Sequence, residues 1–314
     1  MEKVCFGIDV GGTTVKIGLF SDEGKLLDST EIPTRKEDNG SHILPDICSV
    51  IEARLEAQNL TRNDLIGVGI GIPGPVTKDG TVLNCVNLGW GIIKIEEKLS
   101  QMLGGVLVKA GNDANVAALG ENWQGGGQGF EDLILITLGT GVGGGVIIGN
   151  EIITGSNGAA GEIGHIPTVT GEEASQCGCG KYGCLETVAS ATGIVREAKK
   201  LLEKSSEPSV LRDIIPFSCK DIFDAAKEGD KLSMEVVDKL AYYLGTAAAS
   251  IAAVINPQVI VIGGGVSKAG KFLLDKIEEN FMAGAFHACK NAKFALATLG
   301  NDAGMYGAAA LILD

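Results

Sequence analysis

Three cysteines fall within eight positions in the segment CGCGKYGCLE, residues 177–186, and a glutamate closes it. Cys177, Cys179 and Cys184 form C-x-C-x4-C, and glycines at 178, 180 and 183 let the loop curl round one point. His165 lies twelve residues upstream. Three thiolates and one imidazole are a tetrahedral zinc set, and a site closed by four protein ligands is structural because no coordination position stays open. A thioredoxin-type centre would need C-x-x-C opening a helix, which is absent. A disulfide is also disfavoured. The start, MEKVCFGIDVGG, is too short and too polar for an export signal, so reduced thiols in a cytoplasmic setting are expected. Cys5, Cys48, Cys85, Cys219 and Cys289 are scattered and read as small buried hydrophobes. Two carboxylates are tied to the loop: Glu162 in GEIGH (161–165) and Glu186, two residues after the last cysteine. They read either as surface glutamates or, on a rigid loop, as fixed acceptors for the hydroxyls of a neutral polyol.

A second chemistry is carried by glycine turns. In DVGGTTVK (9–16), backbone N–H groups and the hydroxyls of Thr13 or Thr14 can wrap phosphate oxygens. Asp9 at the strand end can hold Mg2+, usually through water, and Lys16 adds positive charge. The alternative is a hairpin whose turn merely needs glycine. The spacing is not that of a Walker A loop, G-x-x-x-x-G-K-[ST]. GTGVGGG (139–145) offers a second phosphate turn and GGGVS (263–267) a third nucleotide contact, short of a full dinucleotide fingerprint. In GNDANVAALGE (111–121), Asn112, Asp113 and Asn115 stand where a strand hands over to a helix. One of them can cap the helix for about 1 kcal/mol. Asp113 can accept a proton from a substrate hydroxyl.

These residues need strands and helices to hold them. Residues 3–20 and 132–149 each read as strand, glycine turn, strand, like two copies of one hairpin about 128 positions apart, which suggests two halves. Helical spacing covers 41–58, and 64–76 is a buried strand ending in a Gly/Pro loop. Residues 104–123 read as strand, loop and helix; 232–257 as one long helix stopped by Pro257; 258–270 as strand, turn and helix start; 303–314 as a short apolar helix. Strands alternate with helices, so the class is α/β. With 314 residues, 45% of them hydrophobic and 21% charged, the chain has room for two domains and a substantial core. The net charge of −13, from 26 basic and 39 acidic residues, argues against a nucleic-acid or anionic-membrane partner. REAKK (196–200) reads as one solvated helix face, and the 46 glycines suggest close approach of backbone to something bulky or anionic.

Taken together, DVGGTTVK, GIPGPV (71–76), GNDANVAALGE, GTGVGGG, GEIGH and CGCGKYGCLE resemble the ROK family (repressors, open reading frames, kinases), over nearly the whole chain. Within the family, NCVNLGWG (84–91) resembles the bacterial glucokinase branch. The resemblance implies a two-domain, actin-like (RNase H-like) α/β ATPase fold with an interdomain cleft. The smaller domain would be 1–115 plus 303–314, with the last helix packed back on it, and the larger 116–302 would carry the zinc loop. It implies an ATP-dependent kinase acting on the 6-hydroxyl of glucose, with ATP, Mg2+ and structural Zn2+, assembled as a homodimer or homotetramer. Carried over by position, Asp113 would be the catalytic base. Gly74, Asn112, Glu162, His165 and Glu186 would bind sugar. Asp9, Gly11, Gly12, Thr13, Lys16, Thr140 and Gly141 would serve Mg2+ and the phosphates, and Gly264 and Gly265 the nucleoside. His165, Cys177, Cys179 and Cys184 would hold zinc, with one nitrogen of His165 on the metal and the other toward sugar. Other hexoses of the family are fructose, N-acetylmannosamine, N-acetylglucosamine and allose. A sugar-responsive repressor would need a DNA-binding domain, for which a first strand at about residue 3 leaves no room. A non-catalytic sugar sensor would have no use for Asp9, Asp113 and the glycine turns.

Overall fold

The structure, a computed structural model, describes residues 3–313. The chain forms two compact units: Met1–Glu131, Gly145–Gly161 and Leu299–Asp314 make unit 1, and Asp132–Gly144 and Glu162–Thr298 make unit 2.

Unit 1 is built on β1 (Val4–Val10), β2 (Thr14–Ser21), β3 (Leu26–Pro33), β4 (Leu65–Ile72), a small hairpin of β5 (Thr81–Val82) and β6 (Ile93–Lys94), and β7 (Val108–Asn112). The main sheet has the order β3-β2-β1-β4-β7, antiparallel through β1, β2 and β3, and parallel from β1 through β4 to β7. A short turn, α1 (Glu37–Gly40), precedes α2 (Ile43–Ala57). Ile43, Ile47, Ile51 and Leu55 recur every fourth position of α2, so one face enters the core with β1, β2 and β4. Next come α3 (Ile95–Met102) and α4 (Asp113–Gln124). The strand β3 has no counterpart among the expected elements. Its inward positions include Asp28 and Thr30, so hydrophobic periodicity misses it; Asp28 accepts from Arg54 of α2 at 2.9 Å. Pro33 ends this edge strand, where a missing N–H is tolerated.

The second sheet, β10-β9-β8-β11-β12, consists of β8 (Leu133–Leu138), β9 (Val142–Ile148), β10 (Glu151–Ile152), β11 (Val259–Gly263) and β12 (Lys293–Leu296). The unit division runs through β9, and β10 counts with unit 1. The order repeats that of the first sheet, a meander followed by two added parallel strands, as the paired hairpins suggested. The helices of unit 2 are α5 (Glu186–Ala189), α6 (Ala191–Lys204), α7 (Cys219–Lys227), α8 (Lys231–Ile255) and α9 (Lys271–Gly284). As the sequence led us to expect, α8 stops before Pro257, with Asn256 in the left-handed conformation. The REAKK stretch is not a wholly solvated face. It lies on α6 and contains Glu197, 7% exposed and bonded to two lysines.

The last helix, α10 (Ala303–Leu313), packs in unit 1 against β1, β4 and α4, as the resemblance implied. Glycine makes this contact possible. A Cβ on Gly69 would lie 1.6 Å from the Ala308 carbonyl oxygen, one on Gly120 2.2 Å from that of Ala303, and one on Gly307 1.7 Å from that of Val116. These glycines therefore serve helix packing in the core and not an anionic ligand. The same contacts keep all of α4 in unit 1, so the chain divides after Glu131 and not at the expected 115/116 boundary.

Candidate functional site

In unit 1, β7 hands over to α4 at Asn112. Its Oδ1 caps the helix, accepting from the N–H groups of Ala114 (3.1 Å) and Asn115 (3.2 Å). Its Nδ2 donates to the Gly74 carbonyl (3.1 Å) and to Asp113 Oδ1 (2.9 Å). An amide has two donors and two acceptor lone pairs, so the hydrogen-bonding capacity of Asn112 is used within the protein. Asp113 Oδ1 also accepts from the Ala114 N–H at 2.8 Å. Capping and carboxylate thus fall to adjacent residues, each holding the other in place. Gly74, at φ +105°, offers its carbonyl because a side chain there would be strained and would press on the Asn84 carbonyl.

The β1–β2 turn carries Gly11, Gly12 and Thr13. Gly11 N–H closes the turn on the Thr14 carbonyl (2.9 Å), and Thr34 clamps it by donating its hydroxyl to the Gly11 carbonyl (2.7 Å). Asp9 stands opposite Lys16 in the strand register. Burial pushes the Asp9 carboxyl up to about 6, the charges of Asp113 and Asp302 push the same way, and Lys16 opposes them. A Cβ on Gly304 would lie within 3 Å of the Asp9 carboxylate, so α10 leaves room for it by carrying glycine there. Lys16 is already engaged: its Nζ donates to Asp302 Oδ1 (2.8 Å) and to the Asn301 carbonyl (2.9 Å).

In unit 2, His165, Cys177, Cys179 and Cys184 place one ligand atom each within 4.8 Å of all the others. Zn–S bonds of about 2.3 Å and Zn–N bonds of about 2.0–2.1 Å put tetrahedral ligand pairs about 3.8 Å (S···S) and about 3.6 Å (S···N) apart. Cys179 Sγ and Cys184 Sγ are 3.7 Å apart, and Cys177 Sγ lies 3.6 Å from His165 Nδ1. The residues fit zinc, with Nδ1 as the histidine ligand atom. Nε2 lies 3.9 Å from Glu162 Oε2. Burial and a bond to Glu186 push the Cys177 thiol up to about 12, so in a metal-free loop it stays protonated. The Lys181 N–H lowers the exposed Cys179.

Glu186 opens α5 beside this cluster, with Oε1 2.8 Å from Cys177 Sγ and 3.9 Å from His165 Nδ1. Its Oε2 approaches Gly141 so closely that a Cβ there would lie 2.8 Å away. The 139–141 turn is held in turn from α6. Ala191 N–H bonds the Gly139 carbonyl, and the Thr192 hydroxyl donates to the Thr140 carbonyl, both at 2.8 Å. Gly264 has φ +80°, and a Cβ there would lie 2.5 Å from the Leu138 carbonyl oxygen at the end of β8. Beside Gly265 a cavity of about 200 Å³ is lined by Ala191, Cys219, Phe223, Val266, Lys268 and Ala269, among others.

The expected residues therefore gather in two groups, one in each unit. Sequence reasoning missed Asp302, Thr34 and Gly304. None carries a motif of its own, and each meets its partner only through the fold.

A family model described as the ROK family matches residues 5–314. This chain belongs to the ROK family. It is 46% identical over 311 residues to the glucokinase of Halalkalibacterium halodurans, covering 98% of this chain and 94% of that protein. It is 34% identical to the glucokinase of Thermotoga maritima, covering 98% of this chain and 96% of that one. A solved structure of a ROK family glucokinase from Streptomyces griseus in complex with glucose and AMPPNP superposes with a TM-score of 0.75 at 36% identity, covering 98% of both chains. The ROK fold of this chain is the actin-like, two-domain α/β ATPase fold implied by the sequence.

Proposed function

We propose that this ROK protein is an ATP-dependent hexokinase that transfers the γ-phosphoryl group to the 6-hydroxyl of glucose. The observation that carries the reading is the Asp113 carboxylate, fixed at the first turn of α4 by Asn112 and the Ala114 N–H. The likeness to proteins named glucokinase supports the sugar and donor.

Phosphoryl transfer rests on positioning and charge stabilisation, with little covalent work for the protein. Asp113 takes the proton of the attacking hydroxyl. Asn112 keeps the carboxylate aimed, and can take a sugar hydroxyl itself by exchanging one of its present bonds. Asp9 would hold Mg2+, which would supply charge neutralisation on the phosphates. Gly11, Gly12, Thr13, Thr140 and Gly141 offer turn donors to the phosphates, and Lys16 joins them on leaving Asp302. Gly264 and Gly265 border the nucleoside, whose base fits the cavity lined by Phe223 and Val266. Glu162, His165 Nε2, Glu186 and the Gly74 loop bind sugar hydroxyls. His165 Nδ1 and the three cysteines would hold zinc, which would keep the loop's carboxylates on one frame. Among the described residues no helix is long and apolar enough to cross a membrane. A cytoplasmic setting, with reduced thiols, and assembly as a homodimer or homotetramer complete the reading.

The test is a panel of hexoses with ATP and Mg2+, read by coupled ADP production before and after zinc chelation. Glucose should be phosphorylated fastest; no hexose-dependent ADP would sink the kinase reading. A proton acceptor contributes about 10²–10⁴-fold. Asp113→Asn should therefore lose at least about a hundredfold in kcat while sugar binding by calorimetry changes little. Normal turnover in that variant would refute Asp113 as the base.

A further inference from the structure

We propose that Glu197 is a positioning residue for the zinc loop, tying the approach segment 170–176 to α6 and α8 through Lys200 and Lys239; the link to sugar rests on the function proposed above. Glu197 sits on α6 with its side chain 8% exposed. Its Oε1 accepts from Lys200 Nζ and its Oε2 from Lys239 Nζ of α8, both at 2.9 Å. Each ammonium reaches on into the loop. Lys239 Nζ donates to Glu173 Oε2 at 2.9 Å, and Lys200 Nζ donates to Ser175 Oγ at 2.7 Å. Ser175 is also joined to the far side of the zinc loop, since its carbonyl accepts from the Gly183 N–H at 2.9 Å. Cys177 follows two residues later and Cys184 adjoins Gly183.

The segment has little else to hold it. No residue of 170–176 is buried, so no apolar side chain of that segment anchors it to a core. Two carboxylates and two ammonium groups balance in charge, and the buried member is the one that bridges both lysines. Against an apolar isostere, buried ion pairs contribute little to stability, whereas they fix geometry where several hydrogen bonds must be met at once. Here the geometry fixed is that of the segment entering the metal cluster. Glu197 touches neither metal nor sugar and acts through Glu173 and Ser175.

The experiment uses zinc-loaded, full-length protein. Zinc release is read with a chromogenic chelator, and KM for glucose and kcat are measured in parallel. Removing outer supports of a metal site costs about 10–100-fold in affinity, so Glu197→Gln and Lys200→Met should release zinc about tenfold faster. Both should raise KM for glucose about fivefold or more with kcat within about twofold, the sign of lost ground-state positioning. Lys200→Arg keeps donors for both Glu197 and Ser175 and should restore both readouts. Lys276→Gln, which breaks an exposed pair to Asp238 of α8, should change neither. Wild-type release rates and KM in both Glu197→Gln and Lys200→Met would overturn the proposal, as would failure of Lys200→Arg to restore them. If Glu197→Gln does not fold, Lys200→Met decides alone. Zinc release needs no turnover, so a wild-type protein without hexose phosphorylation would overturn the functional reading and leave this arm standing.

Discussion

Asp9 carries a stability cost that its position makes measurable. Burial and the neighbouring carboxylates push it up to about 6, against an ordinary value near 3.8. Below the unfolded value it is neutral in both states and costs nothing. Between that value and about 6 the unfolded chain has lost the proton that the folded chain still holds, so stability falls across this window and levels off above it. One pKa unit is about 1.4 kcal/mol, so a shift of this size is worth up to about 3 kcal/mol. Asp9→Asn should therefore raise the melting temperature of the ligand-free protein at pH 7.5 by several degrees and leave it nearly unchanged at pH 4. An equal shift at both pH values would count against the burial argument. Asp9 and Asp113 were legible in the sequence because each adjoins a turn or cap whose chemistry is local. The partner of Lys16 was not: Asp302 lies 286 residues away and nothing around it marks a role.

At the scale of elements, α10 shows what glycine does here. Its close seat on β4 depends on Gly69, where a Cβ would meet the Ala308 carbonyl at 1.6 Å. Neither backbone can retreat without opening the sheet or the helix. Gly69→Ala should cost about 3 kcal/mol or more, the upper end for overpacking, and it should do so without touching a ligand. Gly91→Ala, where a new Cβ meets nothing within 4 Å, should stay within about 0.5 kcal/mol. Denaturant titrations of the two variants give the comparison, and similar midpoints would refute the packing account. The apolar helix at 303–314 was legible from composition, and the hairpins from their turns. What composition does not reveal is which glycines pack and which bind, because both uses need a missing side chain. Likewise β12 and α7, only four and nine residues long, offer too short an apolar pattern to mark an element, and on α6 the REAKK stretch reads as solvated because its inward face includes Glu197.

Across the whole molecule, stability and specificity are carried by different parts. Each unit has its own apolar core, around β1, β4 and α2 in one and around β8, β11 and α8 in the other. The zinc loop belongs to unit 2, but its segment 170–184 has only Cys177, Gly183 and Cys184 buried, and its regular structure is a short 3₁₀ turn and the isolated bridges Gln176–Tyr182 and Pro167–Cys184. On the function proposed above, metal coordination would supply there what a core supplies elsewhere. Cys179 is the exposed member of the four candidate ligands, so Cys179→Ser removes its sulfur without opening a cavity. The variant should fold, because the cores are intact, yet lose zinc. Hydrogen exchange should then quicken at the amides of 166–186 and stay slow in Leu133–Leu138 and Val259–Gly263. KM for glucose should rise about tenfold, since Glu162, His165 and Glu186 no longer share one frame. Retained stoichiometric zinc with unchanged kinetics would refute Cys179 as a required ligand and deny the metal its structural role in the loop. Lost protection throughout β8 would instead make zinc a requirement of the unit 2 core, and the division of labour argued here would fail.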